Sequence, residues 1–242
     1  MTLLTHDSIS LRGAGIVTIT QPAKGHRFTL DSILLADFCR IKVRDRILEP
    51  GAGTGIISLL LAKKFPKSTL CPLEVQPDLE ELCGRNIVDN NLQDRVIPVG
   101  RDLRYVERSV QRESFDMIVA NPPFAKAGSG KISPLPARRT ARHESEARLE
   151  QWLDLQKMLK NRGRYCLVFT AHRLDELIPL MKSRRLGPKC LRFVHPHPDK
   201  PASLVLMEAV KGAGTGSEIL PPLFVHDENG GYTDEMKEIY GL

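Results

Sequence analysis

Two stretches of this chain hold residues that could do chemistry. The first is "NPPF" (Asn121, Pro122, Pro123, Phe124), which follows the apolar run "FDMIVA" (Phe115 to Ala120). An asparagine amide oxygen and a carbonyl held rigid by proline can both accept from one planar NH2 group. Such a nitrogen is a poor nucleophile because its lone pair is delocalised. Acceptors on its hydrogens favour pyramidal geometry, free the lone pair and stabilise the positive charge that develops on attack. Phe124 offers a face on which a flat ring can stack. This chemistry is mostly positioning and needs no general base with a tuned pKa.

The second stretch is "LEPGAGTG", with Gly51, Gly53 and Gly55 between an apolar strand and an apolar helix. A dinucleotide loop has the spacing GxGxxG and seats a diphosphate on the helix N-terminus. Here the third glycine comes one residue early, and Glu49 precedes the loop, where it would repel a diphosphate and attract a cation. S-adenosylmethionine carries a sulfonium and an ammonium, so an acid at this place suits it. Glu74 ends the next strand, where a carboxylate can accept both hydrogen bonds of a ribose diol. Asp102 follows the third strand in "VGRDL", within reach of an adenine amino group.

These residues need a sheet whose strand ends share one edge. The pattern supplies it: strands over Asp45–Pro50, Ser68–Val75, Arg95–Gly100 and Phe115–Ala120 alternate with helices after Gly55 and over "PDLEELCGRNIVDNN". An amphipathic helix over Glu144–Gly163, with Gly163 as its stop, leads to a fifth strand, "RYCLVFTA". A further helix precedes two final strands, "CLRFVHP" and "ASLVLMEAVKG", whose hairpin puts one antiparallel strand in a mostly parallel sheet. Upstream, "SISLRGAGIVTIT" reads as two short strands about a glycine turn, followed by a helix starting near Asp31. The division expected is one catalytic domain over 1–242: a hairpin-and-helix extension (1–44), a core (45–211) and a C-terminal tail (212–242).

At 242 residues the chain can bury a sizeable core. Its 41% hydrophobic and 26% charged fractions are those of an ordinary globular protein. The absence of a membrane-length apolar run or a signal-peptide pattern leads us to expect a cytoplasmic protein. Five scattered cysteines, never spaced CxxC, argue against structural zinc and a disulfide framework. His195 and His197 in "HPHPDK" lack a third ligand and read as part of a turn, so no metal is expected. The net charge of +6 permits a polyanionic partner. Six basic residues lie between Ala125 and Arg148, against Glu144 and Glu146, directly after the NPPF motif.

"EPGAGTG", "LEV", "FDMIVANPPF", "RFTLDSILLA" and "PASLVLMEAVKG…PPLFVHDENGGYTDE" together resemble the bacterial tRNA(Val) adenine-N6-methyltransferase family, over nearly the whole chain. The resemblance implies an α/β, Rossmann-like class I methyltransferase fold with a seven-stranded, mostly parallel sheet and helices on both faces. It implies S-adenosylmethionine held by the Gly51–Gly55 loop, Glu74 and Asp102, with the Phe28, Thr29 and Asp31 region closing over it. It implies Asn121 to Phe124 as the catalytic motif. The usual acid of the first strand is aspartate, and Glu49 departs from that. For a tRNA substrate, Lys126, Arg138, Arg139 and Arg142 are the expected phosphate contacts beside a flipped base, with His143 and Glu144 able to orient that segment. Two other readings share features of the sequence. One is a glutamine-N5 methyltransferase of the release-factor type, which carries an NPP-aromatic motif but also a helical N-terminal recognition domain. The other is a non-catalytic RNA-binding module.

Overall fold

The computed structural model describes residues 3–124 and 149–242. Its main sheet is laid down by β3 (Arg46–Pro50), β4 (Thr69–Glu74), β5 (Val99–Gly100), β6 (Phe115–Ala120), β7 (Leu159–Thr170), β8 (Leu186–His195) and β9 (Leu204–Lys211). These run in the spatial order β8-β9-β7-β6-β3-β4-β5. All neighbours are parallel except β9, which is antiparallel to both β7 and β8. The seven-stranded sheet with one antiparallel strand is therefore present. Two two-residue strands, β10 (Glu218–Ile219) and β11 (Leu223–Phe224), extend it by pairing with β8.

The central stretches of the strands are mostly apolar because the sheet is covered on both faces. Alternation sorts the side chains of β6: Met117 and Val119 enter one core, Ile118 and Ala120 the other. The first core is built on α1 (Leu30–Phe38), α2 (Ile56–Lys64) and α3 (Pro77–Asp89). The second takes in α4 (Leu149–Asp154) and α5 (Leu174–Ser183). α2 is buried along Ile56 to Ala62, which accounts for a stretch that is apolar but for Ser58. Residues 212–242 return to the sheet: Val225 and, from α6 (Asp234–Tyr240), Met236 and Ile239 are buried in the first core.

The N-terminal hairpin pairs β1 (Leu4–Leu11) with β2 (Gly15–Pro22). Asn86 on α3 joins it to the glycine loop. Its Oδ1 accepts from Thr20 N–H at 2.7 Å, and its Nδ2 donates to the carbonyls of Thr20 and Thr54, both at 2.9 Å. One fully buried amide thus has every polar atom engaged, and three elements share one anchor.

Two elements differ from the sequence reading. The strand expected over Arg95–Gly100 pairs continuously only at Val99–Gly100, with a single bridge from Val96 to Leu70. Pro98 between them has no N–H to give a ladder. Gly163 does not end a helix. α4 gives way to a 3-10 turn at Leu155–Met158, and β7 begins at Leu159. Register passes from Phe115↔Leu159 to Met117↔Arg164, so residues 160–163 bulge out of the ladder. Arg162 is left-handed there (φ 59°), and a Cβ on Gly163 would lie 2.9 Å from the Lys160 carbonyl. The glycine serves the bulge.

Candidate active site

β3 has β4 on one side and β6 on the other, so the chain reverses its winding direction there. Ligands in open α/β sheets bind at such a switch point, beyond the carboxyl ends of the strands. A cleft of about 220 Å³ opens at that place. It brings together Gly51, Gly53, Glu74, Asp102, Asn121 and Pro123, which the sequence places on four different strand ends.

The loop leaves β3 with Gly51, Gly53 and Gly55 all at positive φ (62°, 57° and 90°). Side chains are strained in that region, so glycine is favoured by backbone alone. Space adds to the demand at two of them. A Cβ on Gly51 would meet Trp152 Cη2 at 2.4 Å, and one on Gly55 would meet Cys83 Sγ at 2.7 Å. Gly53 has open space around its Cα, facing the cleft.

Glu74 is buried at the end of β4 and borders the cleft. Its Oε2 accepts from Gly53 N–H at 2.8 Å, and its Oε1 accepts from Val75 and Gln76 N–H at 3.0 and 2.9 Å. Three donors fix the carboxylate and leave lone-pair capacity for a diol. Asp102 also borders the cleft and caps a 3-10 turn, accepting from Arg104 N–H at 2.8 Å and pairing with its guanidinium. The Arg104 hydrogen bond holds the Asp102 carboxyl below its ordinary range. Any further donor entering the cleft has to share these oxygens with Arg104.

Glu49 sits elsewhere. It lies under the loop, 2% exposed and off the cleft wall, and accepts from Ser58 N–H at 2.9 Å and from Ser58 Oγ. It acts as a cap for the first turn of α2. Burial pushes its pKa up to about 8; the Ser58 hydrogen bonds oppose this and the nearby Glu74 charge adds to it. A largely protonated acid behind the loop is a weaker lure for a cation than the sequence reading supposed.

Asn121 stands at the end of β6, where Pro122 and Pro123 stop the ladder. Its Nδ2 donates to Ser32 Oγ on α1 at 3.2 Å, and Oδ1 accepts from no described residue. The amide is therefore turned with its acceptor available. Phe124 packs edge-on against Phe169, centroids 5.9 Å apart, and its carbonyl accepts from Arg173 Nη1 at 2.6 Å. Arg173 is fixed in turn by Glu176 at 2.7 Å and lies over the Phe169 ring. Ser32 and Arg173 are positioning residues that the sequence reading missed. Ser32 stands inside the quoted "RFTLDSILLA", one place after Asp31; nothing in sequence marks Arg173.

Phe28 and Thr29 lie on the segment joining β2 to α1, and Asp31 in the first turn of α1, but the residue of this region that borders the cleft is His26. Phe28 packs on the first core, and its N–H donates to Gln21 Oε1 at 3.2 Å. Gln21 and Arg27 both hold Asp7, at 2.7 and 3.0 Å, so the hairpin braces the segment. Burial raises the Asp31 carboxyl above its ordinary range. Lys126, Arg138, Arg139, Arg142, His143 and Glu144 lie outside the described residues. The His195 ring is tilted against Phe224 at 5.3 Å, and the His197 ring stacks on His226 at 5.2 Å. Among the described residues no group of three or more side chains could hold a metal ion. No described helix is long and apolar enough to cross a membrane.

The cleft suits S-adenosylmethionine on its own features. It has a glycine cradle that a side chain would fill, a fixed carboxylate beside that cradle and a second acid on the next strand end. Residues 26–138 match the methyltransferase small domain family. Among solved structures, a predicted O-methyltransferase from Agrobacterium tumefaciens has the same fold, with a TM-score of 0.71 and 21% identity over 88% of this chain and 96% of that one. So does the 16S rRNA N2 G1207 methyltransferase of T. Thermophilus, in complex with AdoMet and guanosine, with a TM-score of 0.61 and 19% identity over 87% of this chain and 51% of that one.

Relatives similar in sequence carry the name tRNA1(Val) (adenine(37)-N6)-methyltransferase. The one from Porphyromonas gingivalis is 31% identical over 78% of this chain and 75% of its own length. That of Dyadobacter fermentans is 24% identical over 88% of each, and that of Vibrio campbellii 25% identical over 89% and 87%. The glutamine-directed and non-catalytic alternatives are not favoured by these relatives. The chain is an S-adenosylmethionine-dependent methyltransferase belonging to the tRNA1(Val) (adenine(37)-N6)-methyltransferase family.

Proposed function

We propose that the protein methylates the exocyclic N6 amine of an adenine in tRNA, and that, like its named relatives, it acts on position 37 of tRNA1(Val), in the cytoplasm. The observation that carries the mechanism is the fixed amide of Asn121. With Nδ2 on Ser32, Oδ1 is the atom presented to an incoming NH2 group. The cofactor, when bound, supplies an electrophilic methyl on a sulfonium; Gly51, Gly53, Glu74 and Asp102 are the residues we assign to hold it.

The chain's part in the reaction is orientation and charge. Asn121 Oδ1 and the Pro122 carbonyl accept from the two N6 hydrogens, which localises the lone pair and stabilises charge on the nitrogen as its bond to the methyl carbon forms; the carbon–sulfur bond would break with its electron pair left on sulfur, and the methylated amine would then release one hydrogen as a proton to solvent. Phe124 supports the base ring, and Arg173 keeps Phe124 in place through its carbonyl. An adenine in an anticodon loop can leave its stack at modest cost, as access to this recessed motif demands.

Incubation of the protein with labelled S-adenosylmethionine and a tRNA1(Val) transcript, followed by nucleoside digestion, should yield N6-methyladenosine. Label in protein glutamine, or in another nucleoside, would overturn the reading. We assign phosphate contacts to Lys126, Arg138, Arg139 and Arg142. Neutralising the three arginines should flatten the salt dependence of tRNA binding by about two to three phosphate contacts; an unchanged slope would move the RNA path elsewhere.

A further inference from the structure

The turn after β5 carries more positive charge than the cofactor site uses. Between Arg101 and Arg112 the chain has four arginines against two acids, Asp102 and Glu107. Both acids are taken: Asp102 pairs with Arg104, and Glu107 pairs with Arg112 and Lys157. Arg101 and Arg108 are exposed, and neither has a carboxylate partner among the described residues.

A free surface cation is ordinarily a loose, solvated chain. These two are held. Arg101 Nε donates to Ser109 Oγ at 2.9 Å, and the Arg101 backbone N–H donates to the Glu74 carbonyl at 2.9 Å. The Arg108 guanidinium lies over the Tyr105 ring, 4.8 Å from its centroid, and that of Arg104 lies 5.8 Å from the same ring. Tyr105 is 47% exposed, while Val106 beside it is buried and ties the turn to the second core. A guanidinium resting on a ring keeps N–H groups along its edge for an oxyanion. Holding it in place beforehand lowers the ordering cost of binding.

The cofactor does not call for these charges. Its adenine and ribose, assigned to Asp102 and Glu74, are uncharged, and its one carboxylate is at the methionine end. Yet Arg101 borders the cleft. β5 lies three places along the sheet from β6, about 14 Å at the usual strand spacing. A strand that delivers an adenine to Asn121 needs only a few nucleotides to cover that distance.

We propose that Arg101 and Arg108 form a phosphate-binding surface for the tRNA strand that enters the cleft, separate in the chain from Lys126, Arg138, Arg139 and Arg142. The proposal rests on the tRNA reading above. Arg104 stays with Asp102, so the surface supplies two phosphate contacts.

The test is the salt dependence of binding to a tRNA1(Val) transcript. It compares wild type with the pair Arg101→Gln, Arg108→Gln and with the pair Arg101→Lys, Arg108→Lys. Each contact to a single-stranded phosphate adds about 0.7 to the slope of log affinity against log salt. The glutamine pair should therefore lower the slope by about 1.4 and weaken binding by about 10- to 30-fold near about 0.1 M salt. The lysine pair keeps the charges and should keep the slope. Affinity for S-adenosylmethionine by calorimetry, and kcat at saturating tRNA, should hold within about twofold in both pairs. A glutamine pair with wild-type slope and affinity would overturn this proposal and leave the tRNA reading standing. A lysine pair that loses the slope would also overturn it, and so would an equal loss of cofactor affinity, which would give the arginines to the cofactor. A wild type that binds no tRNA would overturn the tRNA reading, and this proposal with it. Should the glutamine pair not fold, Arg108→Gln alone, which breaks no hydrogen bond to a described residue, should lower the slope by about 0.7; an unchanged slope would again overturn the proposal.

Discussion

On the cofactor flank of the cleft, Glu74 takes its hydrogen bonds from Gly53, Val75 and Gln76, the backbone of its own and the neighbouring loop. On the acceptor flank, Asn121 is oriented by Ser32, 89 residues away, and Phe124 is tethered by Arg173, 49 residues away. The first flank is built from main-chain donors that any folded β–α turn presents. The second is built from side chains that meet only once the N-terminal helix and the end of β7 have packed. A change on the cofactor flank should therefore act on binding, and a change on the acceptor flank on the rate of the bound complex.

The largest expected effect breaks that comparison at its sharpest point. Asn121→Ala removes the acceptor on the amine and should lower kcat by about 10²–10³, the cost of deleting one oxyanion-type contact. Cofactor affinity measured by calorimetry should hold within about twofold. A comparable loss of cofactor binding would show that the two flanks are not separable.

Glu49 and Glu74 sharpen the contrast within one flank. Both are buried at strand ends, yet Glu74 has three N–H donors at the cleft, whereas Glu49 has Ser58 alone, under the loop. Unfolded, Glu49 ionises near 4.5; folded, near about 8. The folded chain thus keeps a proton that the unfolded chain loses in that window. Its contribution is full below pH 4.5 and is lost as pH rises through about 8. Glu49→Gln, which keeps an acceptor for Ser58 and has no charge to bury, should gain on wild type as pH rises, by up to a few kcal/mol near pH 8 on linkage grounds. Denaturant midpoints from pH 5 to 8.5 check this. Parallel curves for the two proteins would place an ionised Glu49 in the fold.

Glu74→Ala removes the carboxylate we propose for the ribose and leaves Gly53 N–H without its acceptor. Cofactor binding should weaken by about 10- to 100-fold, read by calorimetry. An unchanged affinity would remove Glu74 from the cofactor site.

The same division governs what could be read from the chain alone. Strand–loop–helix order, the three glycines and the acids at successive strand ends are local patterns, and periodicity was enough to give a mostly parallel sheet with one antiparallel strand. Asn121 was legible because two prolines mark the end of its strand. Ser32 and Arg173 were not, since each acts through a contact that exists only after long-range packing. Gly163 misled for the opposite reason. A glycine after an amphipathic run signals a helix stop, and only pairing with β6 reveals that it relieves a bulge. Glu49 was found, but that its side chain lies on Ser58 rather than on the cleft wall could not be read: its position on the strand is local information, and the direction of its side chain is not.

The smallest expected effect asks whether the acceptor flank really depends on its distant partner. Ser32 is 5% exposed and touches Asn121 from a helix that belongs to neither the loop nor the motif. Ser32→Ala deletes one neutral hydrogen bond, worth about 1 kcal/mol, so kcat should fall by about three- to tenfold. The loss comes from an amide free to turn its NH2 toward the incoming amine, where donor would face donor. Cofactor affinity should stay within twofold, because Ser32 contributes nothing to the loop or to Glu74. KM for tRNA should change little, since the base still reaches Phe124. If instead cofactor binding falls and kcat does not, α1 supports the loop rather than the amide. The division between a locally built flank and a remotely built one would then have to be redrawn around the N-terminal helix.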